Sequence, residues 1–123
     1  MDKPVGIKWL KAPEDQDYPA AQSYLSLLFD EATVARYVQQ LKSATACSFK
    51  AKDIFRASGL SLLGISNAHV EKDRSRICAG QALSPLLLVR DATGHRLIIA
   101  DGYHRLCAVY SYDEDALIPC KIV

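Results

Sequence analysis

Leu86-Leu87-Leu88-Val89-Arg90, Asp91-Ala92-Thr93-Gly94, Arg96-Leu97-Ile98-Ile99-Ala100 and Asp101-Gly102-Tyr103-His104-Arg105 follow one another almost without a break, and this stretch decides the fold. Pro85 opens a strand over 86–90. The Asp91–Gly94 loop has turn chemistry, because Asp can bond its own backbone and Gly tolerates positive φ. A second strand is predicted over 96–100. Both strands are nearly continuous apolar runs, so each is expected to be covered on both faces. The Asp101–Arg105 string then opens a helix to about Tyr112, with Tyr103, Leu106, Cys107 and Tyr110 on one side. A last strand, 118–123, closes the chain. Residues 96–123 therefore read as a β-α-β crossover, right-handed by the general rule.

Upstream, Ser66 or Asn67 is expected to cap a helix ending at Gly80, with Val70, Ile77 and Cys78 on its buried side. Ala51, Ile54 and Phe55 predict a helix over 49–58 that Gly59 stops. Asp30 caps a helix in which Val34, Tyr37, Val38 and Leu41 follow the i, i+3, i+4, i+7 pattern. Asp17 is read as the cap of a helix over 18–29, built on Ala21, Tyr24, Leu25 and Leu28. Residues 1–16, with Pro4 and Pro13, form an irregular lead-in. The expected class is α+β: a small mixed sheet with packed helices over 60–123, preceded by an all-helical segment over 1–59, the two packed as one domain.

With 123 residues there is no room for two full-sized domains. No apolar run approaches the length of a membrane helix. Met1-Asp2-Lys3-Pro4 does not begin an apolar signal segment, so a cytoplasmic protein is expected. Fifteen Lys and Arg against fourteen Asp and Glu give a net charge of +1, and the signs alternate along the chain. A dedicated nucleic-acid binder concentrates positive charge, so nucleic acid is a disfavoured partner. Cys47, Cys78, Cys107 and Cys120 form no CxxC pair, and they read as small buried hydrophobes rather than a zinc site.

Chemistry concentrates at 101–105. A helix start presents unpaired amides and a partial positive charge, which suits an anion. Gly102 lets an anion approach the backbone. Arg105 can make a charge-assisted contact with phosphate. His104 can donate to an oxygen or move a proton near neutral pH. Asp101 can hold magnesium or act as a base. The same residues also have a purely structural reading as cap, turn and ion pair. Lys72 or Arg76 could reach a phosphate, and Trp9 and Tyr18 could line a base pocket or staple their segment to the core. His95 reads as an exposed turn residue, and Tyr112-Asp113-Glu114-Asp115 as an acidic loop at a helix end.

The order of these elements, with Leu83-Ser84-Pro85, the Gly94 turn, Asp101-Gly102-Tyr103-His104-Arg105 and Ile118-Pro119-Cys120-Lys121-Ile122-Val123, resembles the ParB/sulfiredoxin superfamily over about 60–123. The resemblance implies binding of a nucleotide (ATP, ADP or CTP, with Mg2+) by Gly102, Tyr103, His104 and Arg105. It departs from the family in places. Sulfiredoxins carry Gly-Cys-His-Arg, and Tyr103 stands where their cysteine would be, so sulfinic acid reduction is not implied. ParB proteins carry Gly-Glu-Arg-Arg, matched here only at Gly102 and Arg105. A free serine kinase of the superfamily carries Asp-Gly-His-Thr-Arg, matched at Asp101, Gly102 and Arg105; for its upstream glutamate, Glu71 is the nearest candidate. The expectation is a nucleotide-binding protein, as a phosphotransferase or nucleoside triphosphatase with Asp101 and His104 catalytic. The alternatives are a module that binds a protein partner through its N-terminal helices and, last, a DNA-associated ParB-like protein. Nuclease activity needs several converging carboxylates, and only Asp101 is placed by sequence.

Overall fold

A computed structural model describes residues 6–64 and 67–123. The elements run α1 (Asp17–Leu25), α2 (Glu31–Ser43), β1 (Cys47–Lys50), α3 (Ala51–Ser58), α4 (Ala68–Cys78), β2 (Leu86–Asp91), β3 (Arg96–Asp101), α5 (Tyr103–Tyr112) and β4 (Leu117–Ile122). The class is α+β, with a mixed four-stranded sheet ordered β1-β4-β2-β3. β2 pairs antiparallel with β3 and parallel with β4, while β1 pairs antiparallel with β4.

The two-sided burial of the apolar strands is as expected. Leu86 and Leu88 join one core with Ile54, Val70, Ile77, Leu106 and Ile118, beneath α3, α4 and α5. Leu87 and Val89, pointing the other way, join Ala21, Leu25, Val34 and Leu41 of α1 and α2. Alternate residues of one strand thus feed two separate cores, as a period of two requires. Helices cover both faces, and the hairpin supplies the apolar layer between them.

Several expectations need correction. Residues 47–50 form a strand, so the first 59 residues are not wholly helical, and α3 starts at Ala51 instead of 49. The strand is short, and only Cys47 in it is half-buried. Residues 96–123 are not a parallel crossover. β4 lies beyond β2 and runs opposite to β3, so α5 joins two strand ends on the same side of the sheet and the handedness rule has no purchase. α1 ends at Leu25, leaving Tyr24 and Leu28 largely exposed. Asp17 is the first residue of α1 and not its cap; its carboxylate accepts from the Glu14 amide at 3.0 Å. Cys78 is exposed and Cys47 half-buried, whereas Cys107 and Cys120 are buried.

Other local expectations hold. The Asp30 carboxylate accepts from the Thr33 amide at 2.7 Å. Asn67 caps α4 by accepting from His69 and Val70; Ser66 lies outside the described residues, as do Met1–Val5, including Pro4. Gly59 ends α3 in the left-handed region, at φ +67°. Trp9 packs against the first core, and its segment is pinned by reciprocal backbone bonds between Lys8, Leu10 and Leu83.

Candidate functional site

β3 passes into α5 through Gly102, whose φ of +109° belongs to the left-handed region. A Cβ there would lie 2.7 Å from Leu86 Cγ and 2.9 Å from Arg105 Nη2. The glycine is therefore required by the protein's own packing. The first intrahelical bond runs from Leu106 N to Gly102 O. Ahead of it, the amides of Tyr103, His104 and Arg105 find no acceptor among the described residues, as a helix start leaves them.

These residues border a cavity of about 210 Å³ between α4 and α5, lined by His69, Lys72, Asp73, Arg76 and Asp101–Arg105. Five residues singled out at the strand-helix junction, together with Lys72 and Arg76, are thus brought to one place. Glu71 is exposed and does not line it, and Tyr18 lies on the opposite core, beside Lys42 and Lys121. The carboxylate that α4 brings is Asp73. It is 6% exposed. Its signal was its spacing four residues before Ile77 and three after Val70, the same stripe that is buried.

Arg105 does not reach out as a phosphate clamp. Its guanidinium turns inward, Nε donating to Ser84 O at 3.0 Å and Nη2 to Asp101 Oδ2 at 3.0 Å and Pro85 O at 3.4 Å. The Asp101–Arg105 pair, each side chain 16% exposed, is the floor of the cleft and the strut that holds the helix start against the strand. Burial pushes the Asp101 carboxyl above its usual range; Arg105 opposes this, and the neighbouring buried Asp17, which hydrogen-bonds it, adds to it. Asp101 is therefore already engaged on both sides. Asp73 is likewise raised by burial and opposed by Arg105, Arg76 and His104, and it meets Arg76 Nη1 at 3.4 Å. With each carboxylate held by a guanidinium, the cleft does not offer a ready oxygen set for magnesium.

The remaining lining residues stand on the cavity walls. Arg76 is only partly buried, and Lys72 is exposed. His104 stacks near His69, with ring centroids 4.8 Å apart. Burial, then His69 and Arg105, holds the His104 pKa below the ordinary imidazole value, against the pull of Asp73. His104 is thus neutral at neutral pH and able to take a proton. The Tyr103 hydroxyl donates to the Ser61 carbonyl, stapling the segment before α4 to α5. His95 is exposed at the hairpin, and Asp115 of the acidic loop pairs with Lys52 at 2.7 Å. Among the described residues no cluster of three or more His, Cys, Asp or Glu is arranged to hold a metal, and no helix is long and apolar enough to cross a membrane. No protein-family model, curated protein or solved structure matches this chain.

Proposed function

We propose that the chain binds a phosphate-bearing nucleotide in the cleft between α4 and α5. The phosphate sits on the amides of Tyr103, His104 and Arg105, and Lys72 and Arg76 supply the charge. The observation that carries this reading is the helix start of α5 open to a cavity in which three cations face two carboxylates. The ParB/sulfiredoxin resemblance of the 101–105 string supports the same ligand class. The role of Arg105 changes in this reading. It positions the helix start and leaves direct phosphate contact to Arg76 and Lys72. No step is routed through magnesium. His104, neutral before the ligand arrives, becomes protonated beside the phosphate, and in a phosphotransferase or nucleoside triphosphatase it would carry the transferred proton.

A thermal-shift panel of ATP, ADP, CTP and GTP tests this. A ligand at ~100 times its dissociation constant adds about 2.7 kcal/mol, raising Tm by on the order of 10 °C. Arg76→Ala should cut the shift to half or less, each Tm being compared with that of the same unliganded variant, since Arg76 also pairs with Asp73. Equal shifts in wild type and Arg76→Ala would overturn the reading.

A second reading, a module that binds a protein partner through its N-terminal helices, is favoured by one observation. Tyr24, Leu27 and Leu28 at the end of α1 are exposed, Leu27 at 83%. Loss of binding to a partner in Leu27→Glu, with nucleotide shifts absent throughout, would favour it.

A further inference from the structure

Cys47 of β1 and Cys120 of β4 face each other directly across the antiparallel pair. Directly opposite residues share a face of the sheet, and both pack on the core beneath α3–α5. The pair's spacing follows from the ladder. Ala51 N bonds to Ala116 O at 2.9 Å, so hydrogen-bonded pairs recur at 49/118 and 47/120. Pro119, which has no N–H, falls opposite Ser48 at an intervening pair. A hydrogen-bonded pair holds its Cα atoms about 5.5 Å apart, inside the roughly 4.4–6.8 Å that a disulfide spans. Cys47 Sγ points at the Cys120 residue, 3.7 Å from its carbonyl oxygen.

We propose that Cys47 and Cys120 are an oxidisable dithiol that closes to a cross-strand disulfide when the protein meets a peroxide. Cys47 is half-buried and Cys120 fully buried, so the peroxide reaches Cys47 first. The Cys47 thiolate attacks one peroxide oxygen, the O–O bond breaks, and the departing oxygen takes a proton to leave as water. Cys47 is then a sulfenic acid. The Cys120 sulfur attacks the Cys47 sulfur, the S–O bond breaks, and the hydroxyl leaves with the Cys120 proton as a second water. The peroxide is reduced and the two thiols are oxidised to one disulfide. Burial, and then the adjacent Cys47 thiol, push the Cys120 pKa up to about 12, and only its thiolate is nucleophilic.

The test is hydrogen peroxide treatment of the full chain. It is followed by a free-thiol count, a non-reducing peptide map and reversal with dithiothreitol. The expected result is a fall from the four free thiols to two, a peptide linking Cys47 to Cys120, unchanged far-ultraviolet circular dichroism, and full recovery of thiols on reduction. Cys47→Ser should form no intramolecular link. Should Cys120→Ser fail to fold, the Cys47→Ser chain and the peptide map still decide. Oxidation confined to the exposed Cys78, as a sulfinic acid or an intermolecular disulfide, with Cys47 and Cys120 still reduced, would overturn the proposal.

Discussion

Two strands of this molecule run into helices at the same end of the sheet, and their junctions are built in opposite ways. At β1–α3, Lys50 caps the helix in an ordinary extended conformation. The amides behind it are closed by the acidic loop, Ala51 N bonding to Ala116 O and Lys52 N to Glu114 O, each at 2.9 Å. At β3–α5, the chain turns through a left-handed glycine, a half-buried ion pair braces the turn, and the residues of the helix start line a cavity. Both are helix starts with the same partial charge. The first is closed by backbone carbonyls and the second lines a cavity, so a helix N-terminus acquires binding capacity from what does not cover it.

The sharpest contrast between the junctions is backbone strain. Gly102→Ala combines left-handed strain of about 1–2 kcal/mol with overpacking against Leu86 of about 1–3 kcal/mol. We expect denaturant unfolding to show a loss of about 2–5 kcal/mol, whereas Lys50→Ala at the other junction shows no comparable loss. An equal response at both would break the comparison.

The next effect concerns the brace. Asp101→Ala leaves the inward guanidinium of Arg105 without its carboxylate and should cost about 2–3 kcal/mol. Adding Arg105→Met should recover part of that, as a double-mutant cycle would show. The solvent-facing Lys52–Asp115 pair at α3 should give no such coupling in the parallel cycle.

In ligand binding, Arg76→Ala should weaken phosphate affinity by about 1.5–3 kcal/mol, or roughly 10–100-fold, by isothermal calorimetry. Lys52→Ala beside the closed junction should leave it unchanged. The smallest effect is the pH response. Because the folded His104 pKa is depressed, the unfolded chain takes up the proton first as pH falls. Its contribution to stability is therefore full above the unfolded value and is lost as pH drops through the folded one. Bound anion favours the protonated ring, so sulfate, whose own charge is constant over this range, should bind more tightly from about pH 8 to about pH 5.5. His104→Gln should flatten that dependence.

The central hairpin was legible because its apolar runs, turn chemistry and glycine agree with one another. The caps at Asp30 and Asn67 were legible for the same local reason. β1 was not, since four residues with one half-buried side chain carry too little alternation to outweigh the helical spacing that follows. The position of β4 was illegible in principle. A strand-helix-strand order does not say whether the last strand lands beside the first or beyond its neighbour. At the site, the string 101–105 named the right place but not its wiring. Arg105 was read as a ligand because a guanidinium four residues from an aspartate serves equally as clamp or strut. Only the third dimension shows that Ser84 and Pro85 carbonyls claim it from behind. The burial of Asp17 is likewise tertiary.

The most direct measurement is a two-dimensional amide nuclear magnetic resonance titration with ADP, followed residue by residue. The open-junction account predicts that the amides of Tyr103, His104 and Arg105 shift together and saturably, with those of Lys72 and Arg76, while Ala51 and Lys52 stay still. Saturable shifts elsewhere with 103–105 unmoved, or no shifts at all, would contradict it.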